Sequence, residues 1–215
     1  MSELKGLIVD YGGVLTSSLD HTMSAWAEAD DILIEDFSTA MKGWLGTSYG
    51  NEARVNPIHA LERGEIEIPH FEEQLAGRLK TRSGKPVQAE GLLARMFAGF
   101  EHQPVMFDVL RHARRAGVKT ALLSNSWGMD YPREGWDEVF DVTVISGEVG
   151  MRKPEPEIFT HTCGLLHLEP QQCVFVDDLR PNVKGAVELG MVGVHHVDAE
   201  QTVVELEALF GVPLR

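Results

Sequence analysis

From residue 104 onward, short apolar runs alternate with segments of helical periodicity, and that alternation leaves few folds open. PVMFDVLRHARRAG (104–117) reads as a helix with proline at its start and glycine just past its end. VKTALLS (118–124) and VTVIS (142–146) read as strands, and EPEIFTHTCGLL (155–166) as a helix. CVFVDD (173–178) is a strand, PNVKGAVELG (181–190) a helix, VGVHHV (192–197) a strand, and EQTVVELEALFG (200–211) a closing helix. LIVDY (7–11) adds a buried strand at the front. Strands joined through helices imply βαβ crossovers and a mostly parallel sheet covered on both faces, an α/β fold.

The alternation is interrupted early. Between LIVDY and residue 104 the periodicity is helical: Leu19, Met23 and Trp26, then Phe37, Met41 and Trp44, then Phe71, Leu75 and Leu79. Pro69 suits the first turn of the last of these helices, and TRSGKPVQAEG (81–91) is polar and rich in breakers, a return linker. A chain of 215 residues accommodates one sizeable core and an inserted subdomain. The expected organisation is a core of residues 1–15 and 91–215 with a helical insertion at 16–90.

In open parallel sheets, ligands bind beyond the carboxyl ends of the strands. Asp10 follows the first strand, Ser124 ends the second, and Asp177 and Asp178 end the strand at 173–178. Each has an ordinary reading as turn or cap chemistry. The adjacent acids are more telling, because two carboxylates ~4 Å apart in a partly buried site repel by about 4 kcal/mol, which a cation would relieve. The formal net charge of −14 argues against nucleic acid and anionic membranes as partners. It also means that an anionic substrate needs a local positive site. Lys153, in MRKPEPEIF, is a candidate for part of it.

Together these residues suit phosphoryl transfer. That chemistry needs an in-line nucleophile, neutralisation of the equatorial oxygens and a metal bridge. A carboxylate serves as nucleophile through an aspartyl-phosphate. Mg²⁺ held by one or two carboxylates offsets the charge. Lys153 supplies further charge, Ser124 a hydroxyl donor, and the glycine-lined turn at 11–13 backbone N–H groups.

In order and over essentially the whole chain, LIVDYGGVLT, ALLSNS, VGMRKPEPEIF and VFVDDLRPN resemble the four motifs of the haloacid dehalogenase-like hydrolase superfamily. The likeness is to its phosphatase branch with a helical first-type cap, similar to bacterial sugar-phosphate phosphatases and the amino-terminal phosphatase domain of soluble epoxide hydrolase. It implies a Rossmann-like parallel sheet core and Mg²⁺ as cofactor. It implies Asp10 as nucleophile and metal ligand, the Gly12 carbonyl and Asp178 as further ligands, and Asp177 nearby, through water or as an occasional ligand. Ser124, Lys153, Asn125 and the backbone of Tyr11 and Gly12 would hold the phosphoryl group, and Asn182 would orient Lys153 or the metal waters.

The departure is Gly12. Family phosphatases mostly carry there an aspartate that protonates the leaving group, help worth typically about 10²–10⁴-fold. Substrates whose leaving groups need little protonation would suffer least, and Glu65 in the insertion is a candidate substitute. The expected function is a Mg²⁺-dependent phosphatase acting on a small phosphorylated metabolite. The alternatives are a catalytically weakened phosphate-binding protein and a metal-independent 2-haloacid dehalogenase, which the acidic pair argues against.

The remaining features read as structure. Cys163 and Cys173 have neither C-x-x-C nor zinc spacing and read as reduced core residues. Trp44 shares a helical stripe and reads as core, Trp127 reads equally as site or core, and Tyr49 is a candidate for the entrance. His59 and His70 read as solvated or core residues, and His195 and His196 point to opposite faces of a strand. Without a secretory signal or membrane-length apolar window, a cytoplasmic monomer or homodimer is expected.

Overall fold

The structure, a computed structural model, describes residues 3–46, 56–128 and 130–215. Tyr49 lies outside the described residues. Five strands, β1 (Gly6–Val9), β2 (Lys119–Ser124), β3 (Val142–Ile145), β4 (Cys173–Asp177) and β5 (Val192–His195), form one parallel sheet in the order β3-β2-β1-β4-β5. β1 lies at the centre, with Val9 level with Leu122 on one side and Val176 on the other. That register brings the carboxyl ends of β1, β2 and β4 to one edge.

Helices cover both faces. Leu7, Val9, Leu122, Val174 and Val176 face one way, onto α6 (Pro104–Arg115) and α10 (Ala199–Phe210). Ile8, Ala121, Leu123 and Phe175 face the other way, onto α8 (Pro156–Leu166) and α9 (Arg180–Glu188). Neighbouring residues of one strand thus serve two cores, which is why these strands read as unbroken apolar runs. Cys163 and Cys173 are free, buried thiols in the second core.

The helical layer comprises α1 (Leu19–Ala29), α2 (Ile34–Gly46), α3 (Pro57–Glu62), α4 (Ile68–Ala76) and α5 (Leu92–Phe97). α7 (Ser146–Val149) belongs to the sheet edge, just beyond β3. Asn56 caps α3, its Oδ1 accepting from the Ile58 and His59 amides. Trp26, Phe37, Trp44, Phe71 and Leu75 share one apolar cluster, which makes Trp44 a core residue. Leu92, Leu93 and Met96 of α5 join it, although the sequence pattern places the return to the core at residue 91. The departing and returning chains pair further on: the Ser17 amide donates to the Glu101 carbonyl (2.7 Å) and the Gln103 amide to the Leu15 carbonyl (2.8 Å). The polar linker at 81–91 is therefore followed by one more helix of the same layer. Among the described residues no helix is long and apolar enough to cross a membrane.

Candidate active site

β1 delivers Asp10 into the gap between its two neighbours. The Asp10 amide still donates to the Val176 carbonyl (2.9 Å), and Oδ1 accepts from the Tyr11 amide (2.7 Å). The chain then turns sharply, with Gly13 in the left-handed region at φ 72°. A Cβ on Gly13 would stand 2.7 Å from the Asp178 carboxyl carbon. Gly13 is thus required twice, for its backbone angle and for the carboxylate packed over it. Gly12 is different. A Cβ there would meet nothing within 4 Å, so neither space nor backbone angle excludes a side chain.

Lys153 enters from the loop between α7 and α8, its side chain wholly buried. Nζ lies 2.7 Å from Asp10 Oδ1 and 2.7 Å from Asp177 Oδ2. Its backbone is gripped by Asn125, whose Nδ2 donates to the Lys153 carbonyl (3.0 Å) and whose Oδ1 accepts from the Lys153 amide (2.9 Å). Asp177, also fully buried, accepts from the Leu179 amide (2.8 Å) and from Asn182 Nδ2 at both oxygens (3.0 and 3.1 Å). Asn182 therefore reaches Lys153 through Asp177. His195 Nε2 meets the Asp178 carbonyl at 2.9 Å, while His196 turns the other way to Thr202 (2.8 Å).

The electrostatics follow from three carboxylates around one ammonium. Burial pushes the Asp10 carboxyl up to about 8; Lys153 pulls it down, and Asp177 and Asp178 add to the rise. Asp178 is pushed up to about 6, by burial and then by Asp177. Burial works against the Lys153 ammonium, but Asp10 and then Asp177 more than offset it and hold its pKa above the ordinary value. The site is short of positive charge.

One carboxylate oxygen from each of Asp10, Asp177 and Asp178 lies within 4.8 Å of the others. An all-oxygen donor set of this kind suits a hard cation such as Mg²⁺. Asp10 and Asp178 fit that task better than Asp177, whose oxygens already serve Lys153, Asn182 and the Leu179 amide.

The loop after β2 connects the site to the helical layer. Ser124 Oγ lies 2.9 Å from the Tyr131 hydroxyl. Trp127 packs edge-on against Phe71 and Phe97 and donates to Glu62 Oε1 (3.1 Å). Glu62 also pairs with Arg152, and Arg63 with Glu155. These contacts tie the end of α3 to both sides of Lys153. Burial, then Arg152 and Arg63, push His59 down to about 4.

Asp10, Ser124, Asn125, Lys153, Asp177 and Asp178 all gather at this edge. Two backbone donors expected from the 11–13 turn are engaged within it, the Tyr11 amide by Asp10 and the Gly13 amide by Thr16 Oγ1 (3.2 Å). The Tyr11 ring turns into the core against Tyr131 and Trp136. The Asn125 amide is occupied with the Lys153 backbone. Glu65 is half exposed, with Arg63 at 4.0 Å. Tyr131 and the Glu62–Arg152 pair carried no signal in the sequence: GMDYPREG has no periodicity, and surface ion pairs look the same as buried ones.

Three carboxylates and a lysine thus gather at the carboxyl end of a parallel sheet in an α/β fold. Residues 4–190 match the family model for haloacid dehalogenase-like hydrolases, and the chain belongs to that family. It is 30% identical to the sesquiterpene phosphatase astK of Aspergillus oryzae, over 96% of this chain and 97% of that protein. It is 26% identical to the bifunctional epoxide hydrolase 2 of Sus scrofa, over 98% of this chain and 40% of that protein. The chain thus spans well under half the length of two of the curated relatives it matches, 19% of one and 40% of the other. A family enzyme from Bacteroides thetaiotaomicron, solved with magnesium and inorganic phosphate, superposes with a TM-score of 0.64 at 22% identity, over 89% of this chain and 93% of that one. At that identity the likeness is one of fold.

Two outcomes are expected. Gly13→Ala should lose about 1–2 kcal/mol or more in urea denaturation from the left-handed angle alone, whereas Gly12→Ala should unfold as the wild type does; equal losses would contradict the account of the turn. Folding raises the Asp10 and Asp178 carboxyls above their ordinary value of 3.8. The stability they contribute is intact below that pH and lost as pH rises through about 6 and about 8. Relative to Asp178→Asn, the metal-free protein should melt progressively lower as pH rises from 3.8 through about 6, the further loss near 8 being shared because both proteins keep Asp10, and millimolar Mg²⁺ should restore it. Parallel pH curves for the two proteins would refute the charge account.

Proposed function

We propose that this hydrolase is a Mg²⁺-dependent phosphatase acting on a small phosphorylated metabolite through an aspartyl-phosphate on Asp10. The observation that carries the reading is Asp10 itself, a carboxylate at the tip of the central strand with a buried ammonium 2.7 Å away and a second acid, Asp178, packed over the turn behind it. The relative named a sesquiterpene phosphatase, matched along nearly its whole length, supports the same class.

In this reading an Asp10 oxygen attacks phosphorus and the bond to the leaving oxygen breaks, which leaves the phosphoryl group on Asp10. Water then attacks phosphorus, frees the carboxylate and releases inorganic phosphate. Lys153 balances charge on the transferring group, held in place by Asp177 and by the Asn125 grip on its backbone. Ser124 donates to a phosphoryl oxygen. Mg²⁺, held by Asp10 and Asp178 with the Gly12 carbonyl, would supply the positive charge that lets a phosphate dianion approach three carboxylates.

Gly12 shapes the substrate range. Without an acid there, the leaving oxygen takes its proton from water, which favours anomeric, acyl or aryl phosphates over simple alkyl phosphates. The retained Asp178 and Lys153 set this reading above a binding-only protein, and the acidic pair sets it above dehalogenation.

The test is hydrolysis of p-nitrophenyl phosphate and acetyl phosphate with and without Mg²⁺, beside Asp10→Asn. Turnover should require Mg²⁺ and fall to background in the variant. Folded protein without turnover on either compound would sink the reading in favour of phosphate binding alone. Because position 12 is open, Gly12→Asp should fold and should raise kcat on an alkyl phosphate by about 10²-fold, the low end of general acid–base help, with a much smaller gain on p-nitrophenyl phosphate. Equal gains on both would show that the missing acid does not limit the reaction.

A further inference from the structure

Ser124 has a single hydroxyl proton and a free rotor, so its usefulness as a donor depends on where that proton points. Its backbone is fixed, because Ser124 is the last residue of β2 and pairs with Ile145 of β3. Its Oγ has one close polar side-chain contact given by the structure, the Tyr131 hydroxyl at 2.9 Å. Either oxygen can be the donor in that contact.

The surroundings decide the direction. The Tyr131 ring is held edge-on against Tyr11 (centroids 5.0 Å apart) and Trp136 (5.8 Å). Tyr11 is in turn fixed by its own hydroxyl, 3.2 Å from His102 Nε2. The phenol therefore has little freedom to leave Ser124. Burial raises the Tyr131 phenol above its ordinary value, and the charge on Asp10 raises it further against the pull of Ser124, Ser126 and Lys153. Ser126 Oγ already accepts from the Gly128 amide (3.1 Å), which turns its own proton toward the phenol oxygen and leaves the phenol proton for Ser124. The phenol keeps its proton at neutral pH. A phenol is also the better donor of the two hydroxyls, and an accepting Ser124 Oγ must turn its own proton elsewhere.

We infer that Tyr131 is a positioning residue: its O–H donates to Ser124 Oγ and thereby directs the Ser124 proton toward the phosphoryl oxygen of a substrate seated against Asp10. This rests on the phosphatase reading above. Tyr131 makes no bond to the reacting atoms in this scheme; it acts only through Ser124. No proton is transferred by Tyr131, so its role is separate from the acid missing at Gly12.

A double-mutant cycle tests it, with p-nitrophenyl phosphate and Mg²⁺ as the probe. Ser124→Ala removes the donor and should lower kcat by about 10²–10³-fold, the usual effect of losing one preorganised donor. Tyr131→Phe leaves the donor present but unaimed, and should lower kcat about 10-fold with KM changed less than about 2-fold, a small part of that donor's effect. In the Ser124→Ala background, Tyr131→Phe should change kcat by less than about 2-fold, because residues acting as a unit are non-additive. The same 10-fold loss in both backgrounds would overturn the inference, since Tyr131 would then act on the substrate or on the fold directly. An unaffected Tyr131→Phe in an active wild-type background would overturn the inference alone. No wild-type turnover would overturn the phosphatase reading and this inference with it. Should Tyr131→Phe fail to fold, 3,5-difluorotyrosine at 131 keeps the shape and hydroxyl while acidifying the phenol. The alkaline limb of kcat should then move to lower pH, and that movement should vanish in the Ser124→Ala background; a limb that does not move, or that moves equally in both backgrounds, overturns the inference.

Discussion

A single ammonium held in the dry interior organises this end of the molecule. Burying a charge is costly unless it is paired and hydrogen-bonded, and removing one partner of a buried pair typically costs about 3–5 kcal/mol. Lys153 meets that demand with Asp10 on β1 and Asp177 on β4, each 2.7 Å away. The pairing is possible only because β1 and β4 are neighbours in register, so that the residues after Val9 and Val176 emerge side by side. Everything else at the edge holds this arrangement still. Asn125 fixes the lysine backbone from β2's loop, and Asn182 and the Leu179 amide fix Asp177 from the start of α9.

That arrangement leaves a deliberate imbalance. One cation faces three carboxylates in a protein whose formal charge is already −14. Lys153 contacts both Asp10 and Asp177, yet burial raises the Asp10 and Asp178 carboxyls, Asp177 adds to both rises, and Asp178 adds to that of Asp10. A site in this state resists an approaching anion and favours a cation. The acidity of the whole chain adds to that local bias toward cations.

Much of this could be read from residue order. Asp10, Ser124 and Asp178 stand where strands end, and strand ends are visible as the limits of apolar runs; Lys153 stands in the loop before α8, marked by the prolines that follow it. The sheet was legible for the same reason, since strands buried on both faces carry no polar interruption. What escaped was set by packing. α5 is only six residues long, too short to display a period, and its membership of the helical layer depends on where Leu92, Leu93 and Met96 point. Tyr131 lies seven residues past Ser124 in an irregular loop, so its contact is a property of the folded loop. Trp127 had equal claims as site or core; the structure makes it a tether, with its ring among Phe71 and Phe97 and its nitrogen on Glu62. The spare room at Gly12 was equally invisible, because a glycine in a D-x-G-G turn reads as steric need, and only Gly13 has that need.

The seam between the helical layer and the sheet has a consequence for how such proteins are recombined. Glu62 and Arg63 grip Arg152 and Glu155, the residues that bracket Lys153. The insertion is therefore not a lid that can be exchanged at its two chain crossings, at 15–17 and 101–103. A chimera built at those crossings would import foreign partners for Arg152 and Glu155 and would leave charges stranded beside the lysine. Any graft that respects this geometry has to carry three pieces of chain: the insertion, the 152–155 segment, and Trp127. The helical insertion and the buried lysine are inherited as one block.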